Sequence, residues 1–110
     1  MEIKNNELNI QMKKGVLEYC ILAIIARQEA YATDILNELK EANLLVVEGT
    51  LYPLLTRLKN NEWLTYQWIE SNSGPPRKYF TITKQGKTIL KEQKNAWNEL
   101  VNLVQKITQS

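Results

Sequence analysis

The sequence contains no histidine, a single cysteine and only four glycines, and each scarcity removes a class of function. Without histidine there is no imidazole base working near neutral pH and no imidazole metal ligand. Cys20 has no second cysteine to pair with, and it lies inside the apolar run Tyr19 to Ala26. A thiol in such a run behaves as a small hydrophobe, and a lone reduced cysteine fits a cytoplasmic protein. Gly15, Gly49, Gly74 and Gly86 are scattered and build no loop able to cradle a phosphate. Catalysis of the usual nucleophilic, metal-dependent or nucleotide-dependent kinds is therefore not expected, and neither is a cofactor or a metal. Long hydrophobic runs are missing too, the longest being far short of the ~20 residues that span a bilayer. Met1 to Gln11 is polar, unlike a secretory leader. No membrane partner is expected.

What remains is a chain of 110 residues, the length of one domain, with 44% hydrophobic and 24% charged residues. Leu8 to Arg27 reads as a helix whose apolar residues thicken from Val16 to Ala26 until nearly every face is covered, which predicts a central, buried helix. Tyr31-Ala32-Thr33-Asp34 suits a helix start, and Ile35, Leu36 and Leu39 give a short second helix to about Ala42. Gly49 and Thr50 open a third helix with Leu51, Leu54, Leu55 and Leu58 on one stripe and Pro53 in its first turn. The period then falls to two. Residues 63–69 and 78–83 read as strands, and Ser71 to Pro76 between them as a long projecting flap.

Lys84 to Lys106 returns to the helical period. Leu90, Gln93, Trp97, Leu100, Val104 and Ile107 form a heptad seam along it. A hairpin cannot cover a helix of about 35 Å at 1.5 Å per residue, so the seam needs another cover. Two are available: a second copy of the chain, or the protein's own first helix. The order α-α-α-β-β-α, mainly α with a small β-hairpin, is that of a winged helix-turn-helix with a long C-terminal dimerisation helix. The expected division is a winged-helix DNA-binding domain over residues 1–83 and a dimerisation helix over residues 84–110.

Net charge is only +2, but its distribution is uneven. Residues 1–48 hold five basic and eight acidic side chains, whereas residues 49–91 hold seven basic and two acidic. The positive excess falls on the third helix, the hairpin and the start of the last helix. Phosphate neutralisation supplies most non-specific DNA affinity, so double-stranded DNA is the partner this distribution suggests. With the leucine stripe turned inward, Thr50, Tyr52, Pro53, Thr56, Arg57 and Lys59 are left outward, as on a helix that enters a major groove. Arg77 and Lys78 flank the flap, whose prolines stiffen it against the entropy lost on binding. The rival to a DNA-binding regulator is a winged-helix protein-interaction module that does not bind DNA.

Two segments carry a family resemblance. Glu48-Gly49-Thr50-Leu51-Tyr52-Pro53-Leu54-Leu55-Thr56-Arg57-Leu58 resembles the recognition-helix signature of the PadR family of bacterial regulators, and Gly74 to Gly86 resembles their wing and the strand after it. Lys14 to Glu18, Ile21-Leu22, and Tyr31 before Ile35 match more weakly. The resemblance implies a homodimer built from the first and last helices, usually a repressor, and a two-fold dimer is expected to bind a pseudo-palindromic operator. The resemblance also implies DNA contacts at Tyr31, Thr50, Tyr52, Thr56, Arg57, Arg77 and Lys78, to which the outward face of the third helix adds Lys59. Trp97 matches a tryptophan that, in some compact multidrug-sensing members, stacks on flat aromatic ligands between subunits. Trp97 is thereby a candidate effector contact and a small aromatic molecule a candidate partner, although the nearby Gln93, Lys94 and Val101 supply no aromatic lining. The sequence departs from the family at Ala32 and Glu62, where glycine is usual, and the Glu62 charge is expected to weaken nearby phosphate contacts.

Overall fold

The computed structural model describes residues 16–44 and 46–109. Helix α1 (Leu17–Arg27) leads through the two-residue strand β1 (Ala30–Tyr31) into α2 (Ala32–Glu41) and α3 (Glu48–Asn60). Strands β2 (Leu64–Ser71) and β3 (Gly74–Ile82) form the wing, and α4 (Lys84–Thr108) closes the chain. The sheet is antiparallel in the order β1-β3-β2. The winged-helix order holds, with one strand more than the sequence suggested.

α1 is central, as its composition requires: Leu17, Ile21, Leu22, Ile24 and Ile25 are buried, and full exposure begins only at Arg27. The part of the expected helix from Leu8 through Gly15 lies outside the described residues. Ile35 and Leu39 of α2, Leu51, Leu55 and Leu58 of α3, Leu64 and Phe80 complete the core around it. The stripe of α3 is thus buried as its spacing predicts, with Leu54 half-buried at its margin.

α3 begins one to two residues earlier than expected, and this moves Pro53 out of the first turn. Val47 is the N-cap, and its carbonyl accepts from both Thr50 (3.0 Å) and Leu51 (3.1 Å). The proline ring therefore removes an acceptor's partner at Gly49, which is exposed, so water can take the carbonyl.

α2 and α3 end alike. At α2, Leu44 N–H donates to Leu39 O (2.8 Å) and Asn43 N–H to Lys40 O (3.0 Å). At α3, Trp63 N–H donates to Leu58 O (3.0 Å) and Glu62 N–H to Lys59 O (2.9 Å). These are Schellman closures, which place one residue in the left-handed region. Asn43 (φ 63°) and Glu62 (φ 65°) occupy it. Asparagine tolerates that conformation; glutamate does so only at a cost of about 1–2 kcal/mol. Glu62→Gly is expected to raise stability by about 1 kcal/mol, or roughly 4–8 °C in thermal unfolding at fixed protein concentration. An unchanged or lower midpoint would show that glutamate at this turn is not strained.

The flap is shorter than its composition suggested. β2 and β3 pair out to Ser71↔Gly74, leaving Asn72 and Ser73 as the turn. The ladder shifts between Ile69↔Arg77 and Ser71↔Gly74, so Glu70 faces both Pro75 and Pro76. A bulge leaves residues unpaired, and prolines have no donor to lose there. The prolines therefore sit in the strand and not in a loop.

The N-terminus of α4 is seated on the α3–β2 connection. Thr83 Oγ1 accepts from Gly86 N–H (2.9 Å) as the N-cap and donates to Glu62 O (2.6 Å), while Thr83 N–H donates to Trp63 O (3.0 Å). Ile89 and Leu90 pack against the core, and Gln93 is half-buried. Beyond them Trp97, Leu100, Leu103 and Val104 are about half exposed, and Ile107 is 83% exposed. α1 meets the first part of the seam, and the rest is left largely uncovered by the described residues.

Candidate nucleic-acid interface

Register decides where the wing's basic residues go. Leu64↔Ile82, Tyr66↔Phe80 and Trp68↔Lys78 are cross-strand pairs on one face, and Phe80 and Leu64 show that this face is the core side. Lys78, Tyr66 and Trp68 continue that face beyond the core, toward α3. The Lys78 ammonium lies 4.5 Å from the Tyr66 ring centre and 5.3 Å from that of Trp68, and the two rings meet edge to face. Contacts of this kind hold the cation in place without neutralising it.

Arg77 alternates to the other face and turns over the β1 edge. Its guanidinium carbon lies 3.9 Å from the centre of the Tyr31 ring, and Nη2 donates to Thr33 Oγ1 at 2.6 Å. Tyr31 is itself packed on Tyr79, with ring centres 4.8 Å apart. It is also the N-cap of α2, and its backbone N–H donates to the Asp34 carboxylate (3.0 Å). One tyrosine therefore joins the start of α2 to the wing.

These groups surround one open cleft. Tyr31, Ala32 and Thr33 form one side, Tyr52 of α3 another, and Trp68, Arg77 and Lys78 the wing side, with Phe80 beneath. An adjoining groove runs from Tyr52 past Thr56, Lys59 and Asn60 of α3 to Tyr66 and Lys78. Tyr52, Lys78 and Phe80 belong to both, so the surface is continuous. Of the expected contact residues, Tyr31, Tyr52, Thr56, Lys59, Arg77 and Lys78 are brought together here, and Thr50 is exposed in the first turn of α3.

Arg57 is not brought into this group. It lies on the other flank of α3, where Nη1 is 3.4 Å from Glu18 Oε1 of α1. It lines a separate depression with Tyr19, Trp63, Gln93, Trp97 and Leu100. The aromatic lining missing around Trp97 in the sequence comes there from Tyr19 and Trp63, and the Gln93 side-chain oxygen is buried with no hydrogen-bond partner among the described residues. Cys20 is half-buried in α1, and burial pushes its thiol above the ordinary value. Among the described residues no cluster of side chains could hold a metal, and no helix is long and apolar enough to cross a membrane.

Trp68 and Thr33 were not anticipated. Trp68 could have been found, because the two-residue period of β2 places it on the face of Tyr66. Nothing local marks Thr33, whose partner is 44 residues away.

A sequence model described as the transcriptional regulator PadR-like family matches residues 21–92. The chain belongs to this family. A PadR-like transcription factor from Bacteroides fragilis is 53% identical over 93% of this chain and 99% of its own, with a TM-score of 0.79. A PadR-like regulator from Bacillus cereus is 38% identical over 91% and 98% of the two chains, with a TM-score of 0.78. PadR of Bacillus subtilis, solved in complex with operator DNA, is 26% identical with a TM-score of 0.66, over 71% of this chain and 46% of its own. The PadR-like chain is thus a transcriptional regulator and not an enzyme.

Proposed function

We propose that this PadR-like regulator binds double-stranded DNA as a homodimer and represses transcription from a pseudo-palindromic operator. The observation that carries the reading is the continuous surface shared by α3 and the wing, where Tyr52, Thr56 and Lys59 adjoin Lys78, Arg77 and Tyr31. A helix flank with hydroxyls and a lysine suits the major groove, and two aromatic-held cations beside it suit the adjacent backbone. The operator complex of the Bacillus subtilis relative supports the same partner. Residues 1–83 supply the DNA surface and residues 84–110 the dimer seam, in which Trp97, Leu100, Val104 and Ile107 meet their copies around a two-fold axis, next to Leu90. Half-sites then lie about one turn, ~10 bp, or a multiple apart. The protein acts in the cytoplasm, and occupancy of the operator blocks the promoter.

The test is fluorescence anisotropy with a labelled duplex from immediately upstream of the protein's own gene and with a scrambled duplex, each at two salt concentrations. Tighter, steeply salt-dependent binding to the native duplex supports the reading. Equal binding to both leaves a DNA-binding protein with its operator elsewhere. No binding at low salt overturns the reading in favour of an interaction module.

The two flanks of α3 make a second prediction. Arg77→Ala and Lys78→Ala should each weaken binding and reduce the slope of log K against log salt by about 1, as loss of one phosphate contact does. Arg57→Ala, with its ion pair to Glu18 on the other flank, should change the slope by less. A larger loss for Arg57 than for Arg77 would place the DNA on the α1 side.

A small aromatic effector is the reading that the second depression favours. Trp97, Trp63 and Tyr19 offer ring faces, and the unpartnered Gln93 oxygen accepts a hydrogen bond. Saturable quenching of tryptophan emission by a flat aromatic amine, lost in Trp97→Leu, would support it; no quenching would remove it.

A further inference from the structure

We propose that Thr33 and Tyr31 are positioning residues for DNA binding, which hold the Arg77 guanidinium in the orientation that engages a backbone phosphate. The proposal rests on the DNA-binding reading above and adds a role for residues outside the recognition helix. An arginine on a two-stranded wing has four rotatable side-chain bonds, and fixing them on binding costs affinity. Here they are fixed beforehand. The guanidinium carbon lies over the Tyr31 ring, 3.9 Å from its centre, and Thr33 Oγ1 accepts a hydrogen bond from Nη2 at 2.6 Å. Tyr31 is held in turn by Tyr79 at 4.8 Å and by its place as the α2 cap.

The chemistry leaves Arg77 available. A guanidinium has five N–H donors, and Thr33 engages one of them, while the ring occupies only a face. Neither partner is an anion, so the positive charge is not neutralised. Among the described residues Arg27 and Arg57 each face a glutamate, Glu38 and Glu18. Arg77 instead has a neutral hydroxyl and a ring, and it stands on the wall of the cleft. A neutral support orients the cation and leaves its charge for a ligand. That is the arrangement a phosphate contact requires and a structural ion pair does not.

The experiment is a double-mutant cycle on Thr33 and Arg77, read by anisotropy on the labelled upstream duplex across a salt series. The contact is to backbone, so the scrambled duplex reads it as well. Thr33→Val removes the acceptor at constant shape and should weaken binding about three- to tenfold, with the salt slope falling toward that of Arg77→Ala. Thr33→Ser should restore both. In the Arg77→Ala background, Thr33→Val should have no further effect. Tyr31→Leu, which removes the ring face, should couple to Arg77 in the same way. Thr33→Val binding as tightly as wild type, while Arg77→Ala is weak, would overturn the positioning role and leave the DNA reading intact. Equal losses from Thr33→Val with and without Arg77 would overturn it too, by making Thr33 a direct contact. Failure of the wild-type protein to bind either duplex at low salt would overturn the DNA reading and this role together.

Discussion

Gly86→Ala is expected to lower the stability of the domain by about 3 kcal/mol or more, and so its unfolding midpoint by roughly 12–24 °C. The sign is the informative part. At an ordinary helix position this substitution stabilises by about 1 kcal/mol, through helix propensity and a less disordered unfolded chain. Gly86 is in the first turn of α4, but it is buried, and a Cβ there would lie 2.1 Å from the Trp63 carbonyl oxygen and 2.8 Å from Ile82 Cγ1. The oxygen cannot step aside. It accepts from Thr83 N–H at 3.0 Å, in the same turn where Thr83 Oγ1 bonds to Glu62 O at 2.6 Å. Lifting α4 to admit a methyl therefore breaks the cap and unseats Ile89 and Leu90 from the core. Thermal and urea unfolding at one protein concentration measure the effect. A midpoint equal to or above wild type would mean that α4 does not rest on the α3–β2 connection.

Periodicity made the elements legible where a face is buried. The leucines of α3 and the all-round apolar surface of α1 announce their places because burial imposes spacing. Where geometry depends on a few bonds, the reading failed. β1 is two residues long and has no period to detect; it exists because Ala30 and Tyr31 pair with Phe80 and Tyr79. Pro75 and Pro76 suggest a loop by composition, but a bulge lets a strand hold them. α3 starts at Glu48, ahead of the Gly49-Thr50 pair that composition marks, so Pro53 falls beyond its first turn.

The interface was half legible for the same reason. Charge segregation and the wing pointed to Lys59, Arg77 and Lys78, yet outward positions on a helix face two flanks. Tyr52, Thr56 and Lys59 turn to the wing, and Arg57 turns to Glu18. Which flank meets the wing is a tertiary fact. Thr33 supports Arg77, and Tyr19 and Trp63 line the Trp97 depression, only because the fold brings distant segments together. Glu62 departs from the family's glycine, and the main consequence is not its charge but the φ of 65° that it must adopt.

Val104→Glu is expected to convert the proposed dimer to a monomer at micromolar concentration and to abolish the tight operator binding proposed for it. Val104 is 47% exposed on the last turns of α4, beyond the part of the helix that packs on α1. Its substitution therefore leaves the core untouched, and thermal unfolding of the monomer should stay cooperative. In a two-fold dimer sealed by this seam the change occurs twice, so each subunit must bury a charge. Desolvation without a partner makes the loss on the order of 3–5 kcal/mol, a factor of hundreds to thousands in the dimer constant. DNA binding then falls for a separate reason. A dimer engages its second half-site at a high effective concentration, which a monomer forfeits, along with about half of the phosphate contacts. Sedimentation equilibrium gives the first effect, and the salt slope, reduced to about half, gives the second. A variant that remains dimeric would move the seam off this face of α4. One that is monomeric but keeps the full slope would show that a single subunit makes all the contacts, and the two-fold operator would go with it.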